Sequence, residues 1–249
     1  MTDFIRKPGL AYISWNDWVA MDQQRSAVGF LAEWLETSPN KDVSVHSDPR
    51  NPDHTKELLS GIEACVPDVR MGDASDVVSG LRSDSSALIL FPDEVLAETI
   101  TDGVDVGNAD LCLVLWPGFD QLELWLQAHG AVQLPSGTVS EQGFLDRLPG
   151  VVRVAIQWPL EILDEASGLK HGRGKAQVVQ TLQLLHREGY AYEERDLLLY
   201  AYKLGYRQRD VRKLSDYIQR IRQNRRIVTG ENRLRADILK QWEAEAREL

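Results

Sequence analysis

The segment DLCLVLW at residues 110–116 decides the fold class, because it is apolar on both faces of any strand that it forms. A second segment of the same kind, ALILF, precedes it at residues 87–91. Continuous apolar runs are typical of central strands in parallel sheets, whose two faces are both covered by helices. Both segments are therefore predicted to be central strands of an α/β domain.

Three further short strands are predicted around this pair, with amphipathic helices between them. Their sequences are LAYIS at 10–14, DVSVH at 42–46 and VVRVAI at 151–156. Alternating strands and helices indicate βαβ units, and right-handed crossovers leave few strand orders. We predict a five-stranded parallel, Rossmann-like domain over residues 8–160 with the flavodoxin-like order 2-1-3-4-5.

Composition describes a globular chain, since 43% of its 249 residues are hydrophobic and 27% are charged. No apolar run reaches the length of about 18 residues that a membrane-spanning helix needs, and residues 1–10 lack the apolar core of a signal peptide. Cys65 and Cys112 indicate neither a disulfide framework nor a metal site. We expect a cytoplasmic protein with no membrane contact, cofactor or metal.

The net charge of −10 is unevenly distributed along the chain. Residues 1–168 hold 10 Lys and Arg against 27 Asp and Glu, a balance of −17, whereas residues 169–226 hold 14 against 6, a balance of +8. An acidic surface repels nucleic acid, so any contact with DNA would come through the basic segment. Because no further strand pattern follows residue 160, residues 169–249 are predicted to form a basic helical domain.

Within that domain, LLLYAYKLGYRQRDVRKLSD at residues 197–216 predicts a helix, a tight turn and a second helix. A small residue lets two helices approach closely, and a glycine permits the positive φ that reverses the chain. Ala201 and Gly205 are the small residue and the glycine of this segment. Val211 and Leu214 stand where the second helix would pack on the first. The segment resembles the helix-turn-helix of bacterial DNA-binding proteins. The alternative is an ordinary αα-hairpin with a glycine C-cap.

The resemblance implies that the second helix of this segment binds duplex DNA. Residues at the start of such a helix reach base edges, while cations farther along meet phosphates. The residues expected at base edges are Arg207, Gln208, Arg209, Arg212 and Lys213. The residues expected at phosphates are Arg220, Arg222, Arg225 and Arg226. A homodimer is expected if the target is a specific operator.

A small-molecule site is predicted at the carboxyl ends of the strands, where ligands bind in open parallel sheets. The polar residues that follow the predicted strands are Asn16, Asp17, Asp93 and Asp120. With the flavodoxin-like order the crevice lies between the first and third strands, so Asn16, Asp17 and Asp93 would face a nucleotide-like ligand. No glycine-rich phosphate-binding motif supports this site. The alternative is that these residues only cap helices.

Two segments resemble parts of enzyme families. YISWND at residues 12–17 is similar to the opening strand of TIR domains, although the Ser-x-Trp-Cys-x-x-Glu segment of that family is absent. Residues 109–130 are similar to the late strand and helix of nucleoside deoxyribosyltransferase-like folds, in which Glu123 would take the place of the nucleophilic carboxylate. Three tryptophans after predicted strands would stack on a ligand ring or close the core: Trp15, Trp116 and Trp158.

The sequence therefore favours a DNA-binding regulator over an enzyme. Its front domain would sense a small ligand or dock a partner protein. A nucleotide- or NAD-processing enzyme, whose helical domain acts as a lid or an oligomerisation element, is the alternative. The third reading is an interaction adaptor without a ligand.

Overall fold

The computed structural model of the protein describes most of the chain, in ten stretches. They are residues 9–21, 24–37, 42–47, 52–66, 70–73, 85–103, 110–139, 143–162, 168–230 and 234–249. The chain divides into two compact units, residues 1–140 and residues 141–249. The first unit is mixed α/β, and the described residues of the second unit are helices and their connections.

Seven strands of the described residues form one sheet in the first unit. They are β1 (Leu10–Ile13), β2 (Asp42–Ser47), β3 (Arg70–Asp73), β4 (Ser85–Leu90), β5 (Asp110–Val114), β6 (Val132–Gln133) and β7 (Thr138–Val139). Their order across the sheet is β3-β2-β4-β5-β1-β6-β7. All neighbours pair in parallel except β6 and β7, which pair antiparallel.

Five helices of the described residues accompany this sheet: α1 (Trp15–Ala20), α2 (Gln24–Glu36), α3 (Pro52–Cys65), α4 (Glu94–Gly103) and α5 (Asp120–Ala128). The core lies where β5 pairs with both neighbours, and there Cys112 stands opposite Leu88 of β4 and Ala11 of β1. All three residues are buried. The apolar runs at 87–91 and 110–116 are thus central strands, as predicted.

The second unit contains α6 (Phe144–Arg147), α7 (Gly150–Gln157), a 3₁₀ helix (Trp158–Ile162), α8 (Gly172–Arg187), α9 (Glu194–Lys203), α10 (Gln208–Arg222) and α11 (Ile238–Glu245). Its core is built from inward stripes of these helices. In α8 the residues Val178, Leu182 and Leu185 are fully buried, and in α10 Val211, Leu214 and Ile218 are fully buried. This spacing of three and four residues is that of one helical face.

The predicted sheet is wrong in three respects. Residues 151–156 form helix α7 instead of a fifth strand. The predicted domain boundary at residue 160 is therefore too late, because the second unit begins at residue 141. The sheet is mixed rather than purely parallel, because β7 runs against β6. The flavodoxin-like order is absent, because β1 lies between β5 and β6.

Candidate functional site

Helices α9 and α10 are joined by a four-residue turn with the geometry expected for residues 197–216. Gly205 has a φ of +89°. The N–H of Tyr206 donates to Ala201 O at 3.0 Å, and the N–H of Gly205 donates to Tyr202 O at 2.9 Å. This pair of bonds is the Schellman C-cap, which requires a left-handed residue at the glycine position. Ala201, Val211 and Leu214 are fully buried between the helices.

The connection before α8 fixes the start of α10. The buried carboxylate of Asp210 accepts a hydrogen bond from the N–H of Leu169 at 2.7 Å. The hydroxyl of Tyr217 donates to Leu169 O at 2.5 Å, and the hydroxyl of Tyr206 donates to Ile156 O at 2.8 Å. Burial raises the pKa of Tyr217 to about 12 and also raises the pKa of Tyr206. Both phenols therefore remain neutral donors at ordinary pH.

The side of α10 that faces away from the buried residues carries a row of charged side chains. Arg209, Lys213, Asp216 and Arg220 stand at i, i+4, i+7 and i+11, which places them on one side of the helix. Their side chains are exposed or half-exposed, with 41% of Arg209 and 48% of Arg220 accessible to solvent. Arg212, which is half-buried, adjoins the row. We call these five residues the α10 face.

Three of the nine residues predicted to contact DNA are buried, half-buried or held by other groups of the protein. Gln208 is 1% exposed, because a residue three positions before Val211 shares its buried side of the helix. Arg207 is half-buried at the N-cap of α10. Arg222 donates to Tyr192 O at 2.8 Å and lies 3.6 Å from a Glu194 carboxylate oxygen. The outward position predicted for Gln208 is therefore wrong.

The remaining predicted residues are accessible. Arg209, Arg212, Lys213 and Arg220 belong to the α10 face, and Arg225 and Arg226 are exposed beyond the end of the helix. The side chain of Arg220 pairs with Asp216 one turn earlier, at 3.0 Å between Nε and Oδ1. Exposed pairs of this kind contribute little to stability, so Arg220 remains available to exchange this partner for another anion.

An ion pair that the sequence did not indicate anchors α9, the helix before the turn. Arg147 of α6 donates through Nε and Nη2 to the two carboxylate oxygens of Asp196, at 2.8 and 2.6 Å. Asp196 is buried in the first turn of α9. Because the two residues are 49 positions apart, no local pattern could reveal their contact.

At the carboxyl edge of the sheet in the first unit, the structure does not assemble the predicted crevice. Strand β5 lies between β1 and β4, and neighbouring strands are about 4.8 Å apart. Asp93 accepts from the N–H of Leu96 at 2.7 Å and so caps α4. Asn16 and Asp120 are exposed in the first turns of α1 and α5. The predicted grouping of Asn16, Asp17 and Asp93 between the first and third strands is therefore wrong.

Asp17 instead begins a chain of hydrogen-bonded side chains that includes Tyr12 of β1. Its carboxylate oxygen Oδ2 accepts from Ser14 Oγ and from Gln133 Nε2, both at 2.6 Å. The hydroxyl of Tyr12 donates to Gln133 Oε1 at 3.4 Å and accepts from Gln127 Nε2 at 3.1 Å. Gln127 also donates to Glu123 Oε1 at 3.0 Å. We call this series of six side chains the β1 polar chain.

Sequence reasoning singled out Asp17 and Glu123 but missed the residues that link them. Gln127 stands four positions after Glu123, which is the spacing of neighbours on a helix and was the one local signal available. Tyr12 and Gln133 are 121 positions apart and meet only because β1 pairs with β6. That pairing depends on the strand order, which was predicted incorrectly.

Aromatic side chains lie at the same edge of the sheet. The rings of Trp15 and Trp116 are stacked with centroids 5.7 Å apart, and Phe91 lies 4.6 Å from Trp116 and 5.2 Å from Trp18. Phe91 has a φ of +53°, which is uncommon for a residue with a side chain. Trp158 lies in the 3₁₀ helix of the second unit and does not follow a strand.

Charge restricts what this edge could bind. Asp17 and Glu123 at the ends of the β1 polar chain both carry carboxylates. Two carboxylates disfavour phosphate groups close to them and suit neutral or cationic groups.

A groove of about 620 Å³ lies in the second unit between α8 and the residues around α11. Its polar and charged lining includes Gln180, Arg187, Thr229 and Lys240, and its apolar lining includes Leu184.

No helix in the described stretches combines the length and apolar character that crossing a bilayer requires. Within the same stretches, no three His, Cys, Asp or Glu side chains are grouped as metal ligands would be. No curated protein and no solved structure matches the chain. Residues 148–243, which lie inside the second unit and contain the turn between α9 and α10, match a family described as a domain of unknown function (DUF1889).

Proposed function

We propose that the protein binds duplex DNA through the α10 face and acts as a regulator whose first unit receives a small ligand or a partner protein. The observation that carries this proposal is the row of half-exposed Arg209 and exposed Lys213 and Arg220 on the helix that follows a tight turn. A helix presented in this way can lie in the major groove with its first turns at the bases.

The packing behind the α10 face supports the proposal. The buried carboxylate of Asp210 and the hydroxyl of Tyr217 tie the inner side of α10 to Leu169. The Arg147–Asp196 pair holds α9, against which α10 packs. A recognition helix supported at several points keeps its outward side chains in a fixed arrangement, which lowers the cost of ordering them on DNA.

Charge gives the proposal a second support. The segment 169–226 has a balance of +8 within a chain of net charge −10, and the α10 face lies within that segment. Lysine and arginine side chains that neutralise phosphates release counterions, which makes binding strongest at low salt. Two exposed arginines, Arg225 and Arg226, follow the helix and would extend the contact along the backbone.

The test is fluorescence anisotropy with labelled duplex DNA at about 50 mM salt, where phosphate contacts are strong. Replacing Arg209 and Arg212 together by alanine should weaken binding by about tenfold or more, since each bidentate arginine contact is worth about 1–3 kcal/mol. The matched control replaces Arg187 and Arg235, which are exposed and lie outside the α10 face. This control removes the same charge and should change affinity much less.

Absence of binding by the wild type at low salt would contradict the proposal. Equal losses in the two double variants would also contradict it, because general charge rather than the α10 face would then explain the affinity. In either case the αα-hairpin becomes the better explanation of residues 197–216.

A second function, small-ligand binding at the carboxyl edge of the sheet, is favoured by the β1 polar chain. The β1 polar chain joins two carboxylates, Asp17 and Glu123. The stacked rings of Trp15 and Trp116 follow strands β1 and β5 at the carboxyl edge of the sheet. An aromatic pair provides a surface for a planar ring, and carboxylates accept hydrogen bonds from hydroxyls. A nucleoside without phosphate fits this chemistry better than a nucleotide does.

Thermal-shift measurements with the common ribonucleosides and their monophosphates test the second function. At least one nucleoside should raise the melting temperature, because a ligand that binds only the folded state stabilises it, and its monophosphate should raise it less. Asp17→Ala should abolish the shift, whereas Asp93→Ala, at the cap of α4, should preserve it. A larger shift with monophosphates would contradict the proposed ligand class.

A further inference from the structure

We infer that the α10 face reads G·C base pairs, so that duplex DNA rich in guanine and cytosine is the preferred target. This inference rests on the proposed DNA binding and concerns which bases the same surface recognises. It depends on which side chains helix α10 presents and which it buries.

The cations of the α10 face are suited to guanine. In the major groove guanine offers two neighbouring acceptors, O6 and N7, and an arginine or lysine that donates to both makes the commonest specific contact. Arg209 and Lys213 lie one turn apart in the first half of the helix, and Arg212 adjoins them. Side chains in this half of a recognition helix are the ones that reach base edges.

The carboxylate in the row supports the same reading. Asp216 stands seven positions after Arg209 on the same side of the helix, and 40% of its side chain is exposed. A carboxylate repels phosphate, but it accepts a hydrogen bond from the N4 amino group of cytosine. Arg220 contacts Asp216 at 3.0 Å and orients it. A surface that bound only the phosphate backbone would gain nothing from an acid at this position.

The α10 face carries no asparagine or glutamine, the side chains that usually recognise adenine. Asparagine and glutamine read adenine by pairing with N6 and N7 together. The two amide side chains of α10 are Gln208 and Gln219. Gln208 is 1% exposed, and Gln219 lies in the last third of the helix, where its Nε2 donates to Glu194 at 3.3 Å. Neither is placed among the residues that would face bases.

The experiment compares two duplexes of equal length, one of alternating G·C and one of alternating A·T pairs, by fluorescence anisotropy at one salt concentration. The wild type should bind the G·C duplex at least about tenfold more tightly, which is the discrimination expected of one good bidentate contact. Arg209→Ala should remove most of this preference. Asp216→Asn should narrow the preference, because asparagine pairs with adenine.

Arg225→Ala is the matched control, since Arg225 is exposed beyond the end of α10 and is expected to meet phosphates. It should weaken binding to both duplexes by the same factor. Equal affinity of the wild type for the two duplexes, or tighter binding to A·T, overturns the G·C readout while DNA binding stands. Failure to bind either duplex overturns the proposed function itself.

Discussion

Replacing Gly168 by alanine should lower the free energy of unfolding of the second unit by about 3–5 kcal/mol. Gly168 has a φ of +49°, where a side chain costs about 1–2 kcal/mol. An added Cβ would overlap Asp210 Oδ1 and lie 2.8 Å from its Cγ. Asp210 would have to move and give up the N–H of Leu169, a hydrogen bond to a charged group worth about 1.5–3 kcal/mol.

Hydrogen exchange of peptides from α8 and α10, read by mass spectrometry in the full chain, reports this loss where it occurs. The matched control is Gly205→Ala, since Gly205 also has a positive φ but an added Cβ there meets nothing within 4 Å. The control should cost only the backbone strain, about 1–2 kcal/mol. If both variants lose the same protection, the contact with Asp210 has no role in fixing α10.

Replacing Trp242 by alanine should destabilise the second unit by about 3–5 kcal/mol, the usual cost of truncating a buried aromatic residue. Trp242 is 0% exposed in α11, which packs against α7. The loss should appear in urea unfolding followed by circular dichroism. It would establish that α11 belongs to the cooperative core of the helical unit.

Trp242→Phe is the control for this prediction. The indole Nε1 of Trp242 has no hydrogen-bond partner among the described groups, so phenylalanine removes volume without breaking a bond. We expect a cost of roughly 1–2 kcal/mol, since most of the ring contact survives. A loss as large as that of the alanine variant would mean that the indole nitrogen has a partner.

Strands were predictable where the sequence itself carried the pattern. The four segments at 10–14, 42–46, 87–91 and 110–116 were predicted as strands and are confirmed as strands. VVRVAI at 151–156 has the composition of a strand but forms α7, with Val152, Ala155 and Ile156 fully buried at steps of three and one. These residues also fit one face of a helix, and tertiary packing overrode their β-propensity.

The order of the strands in the sheet could not be predicted from the sequence, for a different reason. An apolar run predicts a central strand, but β1, β4 and β5 all meet that description and could exchange places. Strand β3 was missed because RMGD contains glycine and aspartate, which are depleted in strands. The two-residue strands β6 and β7 are too short to show alternation.

The two candidate sites differ in how far the sequence could predict them. The turn between α9 and α10 depends on Ala201, Gly205 and Val211, which are close in the chain, so their spacing predicted its geometry. The β1 polar chain depends on a contact between Tyr12 and Gln133, which are 121 positions apart in the sequence. The contacts of Arg222 with Tyr192 and Glu194 could not be predicted from the sequence either, because these partners precede it by 30 and 28 positions.

The β1 polar chain also has a direction. Gln127 donates to Tyr12, Tyr12 to Gln133 and Gln133 to Asp17, so these three donors follow one another toward the Asp17 carboxylate. Gln127 also donates to the Glu123 carboxylate at the other end. Placing a donor at position 17 would turn the amide of Gln133 around, and Tyr12 would then lose its acceptor. The orientation of the Gln133 amide, and through it the direction of the Tyr12 hydroxyl, is thus set by whether the side chain at position 17 accepts or donates a hydrogen bond.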